Sequence, residues 1–210
     1  KLLFSGLASL PTLLSMFVWL ALDRSQGAYF AVGLVASIYV HEMGHVSALR
    51  RYGIKATAPM FVPGLGALVR LHQYPVDARE DARVGLAGPV WGSAAAAVAL
   101  AAALLLHRPT LLAIASLGAI INIFNLTPFW QLDGARGFRA LDARQRSIVV
   151  ALAAAVALLL DVPVGWLVCA VGGMRLKHDL PAQGDRRAFW TFAALLAVLS
   201  LIARAGRSPG

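Results

Sequence analysis

The chain has 210 residues, of which 59% are hydrophobic and 14% are charged, and its mean hydropathy is +0.71. A soluble domain of this length usually carries about 25% charged residues, so the composition indicates a single domain, residues 1–210, embedded in a lipid bilayer. The net charge of +9 comes from basic residues spread over several short connections rather than one stripe with interleaved aromatic residues, which argues against nucleic acid as a partner.

Several runs of the chain are apolar enough to cross a membrane as helices. Such a helix needs about 20 mainly apolar residues. We therefore predict an all-α polytopic membrane protein, a bundle of about six or seven transmembrane helices. The apolar segment 163–174 is shorter, and the orientation of residues 161–187 stays open. The candidate spans are residues 2–22, 28–49, 84–106, 110–128, 146–160 and 188–203.

The basic residues predict the orientation of these spans. They concentrate in the connections after the second span, before the third, between the fourth and fifth, and before the last. By the positive-inside rule these connections face the cytoplasm, so we predict a multi-pass protein of the cell membrane. The basic residues concerned are Arg50, Arg51, Lys55, Arg79, Arg83, Arg136, Arg139, Arg144, Arg146, Arg175, Lys177, Arg186 and Arg187.

The segment between the second and third spans has the pattern of a turn between two short strands. Residues 58–71 contain two apolar pieces around Pro63-Gly64-Leu65-Gly66, where Gly and Pro favour a turn. We predict a short re-entrant β-hairpin near residues 58–71. Its edge is suited to pair with an unwound substrate segment.

The third span carries glycines at a spacing that lets another helix approach closely. Gly85, Gly88 and Gly92 lie three and four residues apart. Small residues at such positions allow helix backbones to meet in a membrane bundle. We interpret these glycines as a packing feature rather than as part of a catalytic site.

The second span ends in His41-Glu42-Met43-Gly44-His45. On a helix, residues four apart share a face, so both imidazoles can bind one ion. Glu42 lies about 100° around the helix from His41, where it can approach a metal-bound water. Ionisable groups within a span are costly and mark functional sites. We predict His41 and His45 as metal ligands and Glu42 as the catalytic base.

Two histidines leave a catalytic zinc site one protein ligand short, since such sites use three ligands and an open position for water. The single cysteine, Cys169, excludes a Cys-based site. Asp133 follows the fourth span on the side where the second span ends, and Pro128 and the Asp-Gly pair favour a turn that brings its carboxylate back toward the bundle. We predict Asp133 as the third ligand of one Zn²⁺ ion. The alternative is that Asp133 caps the following helix.

The HEMGH span, followed by Asn-x-x-Pro-x-x-x-Leu-Asp-Gly at the end of a later span, resembles the site-2 protease family of intramembrane zinc metalloproteases. The resemblance covers a catalytic core of about residues 28–140. It implies a three-span core with Asp133 as the third zinc ligand, Glu42 as the base and Asn125 as a residue that positions the substrate. Many members have a second glycine where this chain has Ala135.

The resemblance also implies the substrate. Substrates would be transmembrane proteins, hydrolysed in or near their spans during regulated intramembrane proteolysis. The positive-inside rule places the active site toward the cytoplasmic side of the bilayer. We expect a minimal member, because the connection of about a dozen residues before the third span is too short for a PDZ domain of the usual ~100 residues, and no CBS repeats follow the last span. Substrate identity, cleavage position and oligomeric state stay open.

Two other functions remain open. The chain could be a membrane metal-binding or transport protein with the histidine pair on an ion pathway. That function predicts polar residues that continue to the other face, whereas the stretch from Ala28 to Val40 offers only Tyr29, Ser37 and Tyr39. A protease-like scaffold that does not cleave is the third possibility, and the intact HEMGH argues against it.

Overall fold

A computed structural model of the protein describes residues 27–54, 60–62, 66–68 and 77–206. Seven helices lie in this part of the chain, which confirms the predicted helical class. The predicted first span, 2–22, lies outside the described residues. The helices are α1 (Gly27–Arg51), α2 (Ala78–Leu106), α3 (Pro109–Asn125), α4 (Asp133–Arg139), α5 (Ala143–Leu159), α6 (Val164–Met174) and α7 (Arg186–Ala205).

The other candidate spans each coincide with a helix. Among the helices in the described residues, two, α2 and α7, are long and apolar enough to cross a membrane by length and composition, while α3 and α6 are apolar but shorter. α1 has 25 residues, but the polar residues of HEMGH interrupt its apolar run. The number of membrane-crossing helices therefore stays a prediction.

Two short strands lie where we predicted a re-entrant hairpin. β1 (Met60–Val62) and β2 (Gly66–Leu68) pair antiparallel. Neither strand packs extensively against a described helix. Bare backbone inside a bilayer needs protein or water around it, so the re-entrant placement near residues 58–71 is not supported.

The helices run toward two ends of the bundle: α1, α3, α4 and α6 run one way, and α2, α5 and α7 run the other way. At one end α1, α4 and α6 finish and α2, α5 and α7 begin. An ion pair of 3.6 Å between Arg83 and Asp185, and a hydrogen bond of 2.8 Å from the Asp185 N–H to the Ala140 carbonyl, hold these segments together. We call this the basic end. Its charged residues include Arg50, Arg51, Arg79, Arg83, Arg136, Arg139, Arg144, Arg146, Arg175, Lys177, Arg186 and Arg187.

The structure also gives the orientation of residues 161–187. Gly165 of α6 lies against Ala157 of α5, and Gly172 lies against Val150. Contacts that run forward along α6 and backward along α5 show that the two helices are antiparallel. α6 therefore returns the chain to the basic end, where α7 begins.

A buried arginine donates hydrogen bonds to the loops of the basic end. The side chain of Arg146 is 1% exposed, and its guanidinium donates only to backbone carbonyls. Arg175, from the loop after α6, donates in turn to the Pro128 carbonyl at 3.0 Å, on the segment that leads to Asp133. The carbonyls bound by Arg146 belong to Phe138, Leu141, Arg175, His178 and Asp179.

We expect Arg146→Met to destabilise the fold, because it leaves five buried or part-buried carbonyls without their donor. Each unsatisfied buried group costs about 1–3 kcal/mol, so the free energy of unfolding should fall by at least about 3 kcal/mol. Thermal unfolding of the detergent-solubilised protein, followed by circular dichroism, should show a Tm lower by roughly 5–10 °C. Arg144→Met changes an exposed arginine of the same helix and should leave the Tm unchanged. Equal Tm values for both variants would contradict the bracing role.

Candidate metal centre

α1 presents the two histidines of HEMGH on one buried face. His41 and His45 lie one helical turn apart and are 4% and 8% exposed. Gly44 lies between them, and a Cβ there would overlap the Ala87 carbonyl of α2. The missing side chain at this position lets α2 lie directly against the turn of α1 that carries the imidazoles.

α4 brings the carboxylate to these imidazoles. Asp133 is the first residue of α4 and Leu132 is its N-cap, so the alternative that Asp133 caps the helix is wrong. An acidic residue in the first turn still favours the helix, because it lies near the positive end of the helix dipole. A Cβ on Gly134 would overlap the Leu126 carbonyl, so the tight return of the chain after α3 requires glycine there.

Ion pairs hold α4 against the start of α2. Asp81 of α2 accepts a hydrogen bond of 2.8 Å from Arg136 Nε and one of 3.4 Å from Arg139 Nη2. Gly85, one turn further along α2, gives room to this contact, because a Cβ there would lie 2.7 Å from Arg136 Cβ. The close contact of Gly134 with Leu126 and the ion pairs of Arg136 and Arg139 therefore both hold α4, and with it Asp133, in place.

Three side chains converge on one point. His41 Nε2 lies 3.1 Å from His45 Nε2 and 3.1 Å from Asp133 Oδ2, and His45 Nε2 lies 3.2 Å from Asp133 Oδ1. Ligand atoms about 2.0–2.1 Å from a tetrahedral zinc ion are about 3.3 Å apart. The three groups thus form a triangle with nearly the size of one face of a zinc tetrahedron.

The outer nitrogen of each imidazole faces a hydrogen-bond acceptor. His45 Nδ1 lies 2.8 Å from the Val84 carbonyl, and His41 Nδ1 lies 2.8 Å from Asn122 Oδ1. A neutral imidazole has one N–H. When a metal ion is bound, these acceptors place that N–H on Nδ1 of each ring, so that both Nε2 atoms present lone pairs to the ion. Histidines that bind metals usually donate their other N–H in this way.

The donor set of the centre fits a cation. The Asp133 carboxylate and the Nε2 atoms of the two imidazoles face one another at 3.1–3.2 Å. Two imidazole nitrogens with one carboxylate are a donor set that fits zinc.

The other two predicted site residues, Glu42 and Asn125, lie on different helices. Glu42 follows His41 on α1, is partly buried, and interacts electrostatically with both histidines and Asp133. Asn125 ends α3 and is partly buried. The amide that contacts a histidine belongs to Asn122, one turn earlier, which sequence reasoning missed. The sequence feature that could have indicated Asn122 is an amide side chain within an otherwise apolar span.

The glycines of α2 belong to the site as well as to the helix packing that their spacing predicts. A Cβ on Gly88 would overlap His45 Nε2 and lie 2.7 Å from His41 Nε2, and a Cβ on Gly92 would overlap the Asn122 amide. α2 therefore forms a wall of the centre along these glycines. Their spacing predicted that a neighbouring element would lie close to α2. It did not predict that the neighbours would be the imidazoles and the Asn122 amide.

Comparison with known sequences points to one family. The sequence model of peptidase family M50 matches residues 29–110. This part of the chain is similar to peptidase family M50. A protein of Methanocaldococcus jannaschii named zinc metalloprotease MJ0392 is 27% identical to this chain over 117 residues. The match covers 53% of the chain and 34% of that relative, and no solved structure matches.

The M50 match and the geometry support different parts of the centre. The matched residues 29–110 include both histidines, and the name of the relative agrees with zinc as the cofactor. The matched residues end before Asp133. The convergence of Asp133 on the histidines comes from the structure, which places a residue of α4 beside two residues of α1.

We expect Gly88→Ala to weaken zinc binding, because the added methyl group occupies the space of the two Nε2 atoms. Overpacking of this kind costs about 1–3 kcal/mol, so the zinc affinity should fall by about tenfold or more. Competition with a chromogenic chelator measures this affinity. Gly173→Ala is the matched control, since a Cβ there has nothing within 4 Å. Wild-type affinity in the Gly88 variant would show that the centre does not need this space.

Proposed function

We propose that this chain is an intramembrane zinc metalloprotease that hydrolyses peptide bonds in or near transmembrane segments of membrane proteins. The observation that carries the proposal is the convergence of His41, His45 and Asp133, within 3.1–3.2 Å of one another, inside a mainly apolar bundle. The match of residues 29–110 to the model of peptidase family M50 supports the reaction class. We assign the three side chains as the zinc ligands.

We assign Glu42 as the general base and general acid. Three protein ligands leave a fourth position for water, and bound zinc supplies the Lewis acid that activates it. Glu42 lies about 100° around α1 from His41, beside the centre rather than within the ligand triangle. We assign Glu42 to accept the proton of the attacking water and to pass it to the leaving amine.

The charges of the site balance. The carboxylates of Asp133 and Glu42 together carry two negative charges, which offset the two positive charges of zinc. Charge within a hydrophobic bundle is costly unless it is paired, so this balance favours a buried centre over an isolated ion. The neutral imidazoles of His41 and His45 add ligand atoms without adding charge.

The centre lies below the basic end of the bundle. His41 precedes Arg50 by nine residues, which corresponds to about 13 Å along α1. We assign the basic end to the cytoplasm by the positive-inside rule, in a multi-pass protein of the cell membrane. Water then reaches the zinc from the cytoplasmic side.

A helical substrate must unwind before it is cut. The carbonyls of a transmembrane helix are hydrogen-bonded within the helix and shielded by side chains, and freeing them inside lipid is costly. We propose that a substrate span unwinds at the protease, as regulated intramembrane proteolysis requires. Metal transport, which the sequence left open, needs a polar path, and the buried residues Phe30, Ala31, Leu34 and Val35 of α1 are apolar.

We expect Glu42→Gln to abolish cleavage while zinc stays bound, because glutamine cannot take the proton. Loss of general acid–base catalysis lowers the rate by about 10²–10⁴-fold. The assay uses single-span membrane proteins, tagged at both ends and reconstituted with the protease in liposomes, and scores separation of the tags alongside zinc content. Glu80→Gln, at the chain's other glutamate, should cleave at the wild-type rate. Cleavage by the Glu42 variant at that rate would exclude the proposed mechanism.

A further inference from the structure

The amide of Asn122 lies beside the metal centre. Asn122 is 2% exposed, Oδ1 lies 2.8 Å from His41 Nδ1, and Nδ2 lies 2.8 Å from the Gly118 carbonyl of its own helix. The family resemblance assigned a role to Asn125 and none to this residue. The buried amide thus connects α3 to α1 at a predicted zinc ligand.

The chemistry of these partners fixes which way the amide points. A backbone carbonyl can only accept a hydrogen bond, so the Gly118 carbonyl must face the NH₂ group of Asn122. The side-chain oxygen is then the atom that faces His41. Because that oxygen also only accepts, the proton of the neutral imidazole lies on His41 Nδ1, and Nε2 keeps its lone pair for the ion.

The amide has little freedom to turn away. A Cβ on Gly92 of α2 would overlap its carboxamide atoms, so α2 lies directly against the group. Gly118 binds its nitrogen from one side and His41 its oxygen from the other. Three helices therefore hold one amide in one orientation.

We propose that Asn122 is a positioning residue of the metal centre, which holds the His41 ring and its tautomer so that Nε2 faces the ion. His45 obtains the same orientation from the Val84 carbonyl, which belongs to the backbone. Asn122 is thus the side chain through which the ligand geometry of this pair is set. The inference rests on the proposed zinc centre and does not need the chain to cleave a substrate.

The test compares variants that remove or keep the acceptor. Asn122→Leu removes it, and the zinc affinity should fall by about 10–100-fold, the usual loss when an outer partner of a ligand is removed. Asn122→Asp keeps an oxygen toward His41 but loses the donor to the Gly118 carbonyl, so its zinc affinity should recover to a value between those of the Leu variant and wild type. Affinity is measured by chelator competition on the full chain in detergent.

Two further measurements separate positioning from general stability. Ser116→Ala is the matched control, because Ser116 is a buried residue of α3 whose hydroxyl donates to the Ala203 carbonyl at 3.1 Å, away from the centre. It should keep wild-type zinc affinity. The absorption spectrum of the cobalt-substituted protein should change in the Leu variant and be retained in the Asp and Ser116 variants, since the spectrum reports ligand geometry.

Several outcomes would overturn the inference. They are wild-type affinity and cobalt spectrum in Asn122→Leu, equal losses in Asn122→Leu and Ser116→Ala, or no recovery in Asn122→Asp. If the Leu variant does not fold without metal, Asn122→Ala replaces it in the test, because alanine leaves space where leucine adds apolar bulk. The same loss of zinc affinity is expected. Tight zinc binding by a wild-type chain that cleaves nothing would overturn the proposed protease function and leave the role of Asn122 intact.

Discussion

The structure depends on the meeting of two imidazole nitrogens and one carboxylate inside the bundle. His41 Nε2, His45 Nε2 and the Asp133 carboxylate meet within 3.1–3.2 Å, and the outer nitrogens of both rings face other acceptors. A buried carboxylate is costly unless a positive charge is paired with it. Metal binding and folding of this region are therefore coupled, because a bound cation offsets the cost of burying Asp133.

The surrounding features bring these atoms together and hold them there. Gly88 gives the imidazoles room, and Gly134 allows the chain to turn back after α3. Asp81 pairs with two arginines of α4, while Arg146 binds the carbonyls of neighbouring loops. Charged residues thus act at the basic end, and small residues act deeper in the bundle, where an uncompensated charge would be costly.

Local patterns predicted much of this arrangement. HEMGH lies within one helix, so its geometry follows from spacing alone, and the apolar runs located every described helix except α4, whose seven residues carry no apolar period. Asn122 escaped prediction because its partner His41 is 81 residues away in sequence. The re-entrant placement of the hairpin near 58–71 is not supported, since turn residues indicate where a chain reverses but not what surrounds it.

X-ray absorption at the zinc edge of the purified wild-type protein tests the central claim most directly. The account predicts one zinc ion per chain, bound by two imidazole nitrogens and by oxygen ligands at about 2.0–2.2 Å, with the imidazole scattering lost when His41 and His45 are both replaced. A spectrum without imidazole scattering in the wild type, or one that is unchanged in the double variant, would place the metal elsewhere and contradict the account.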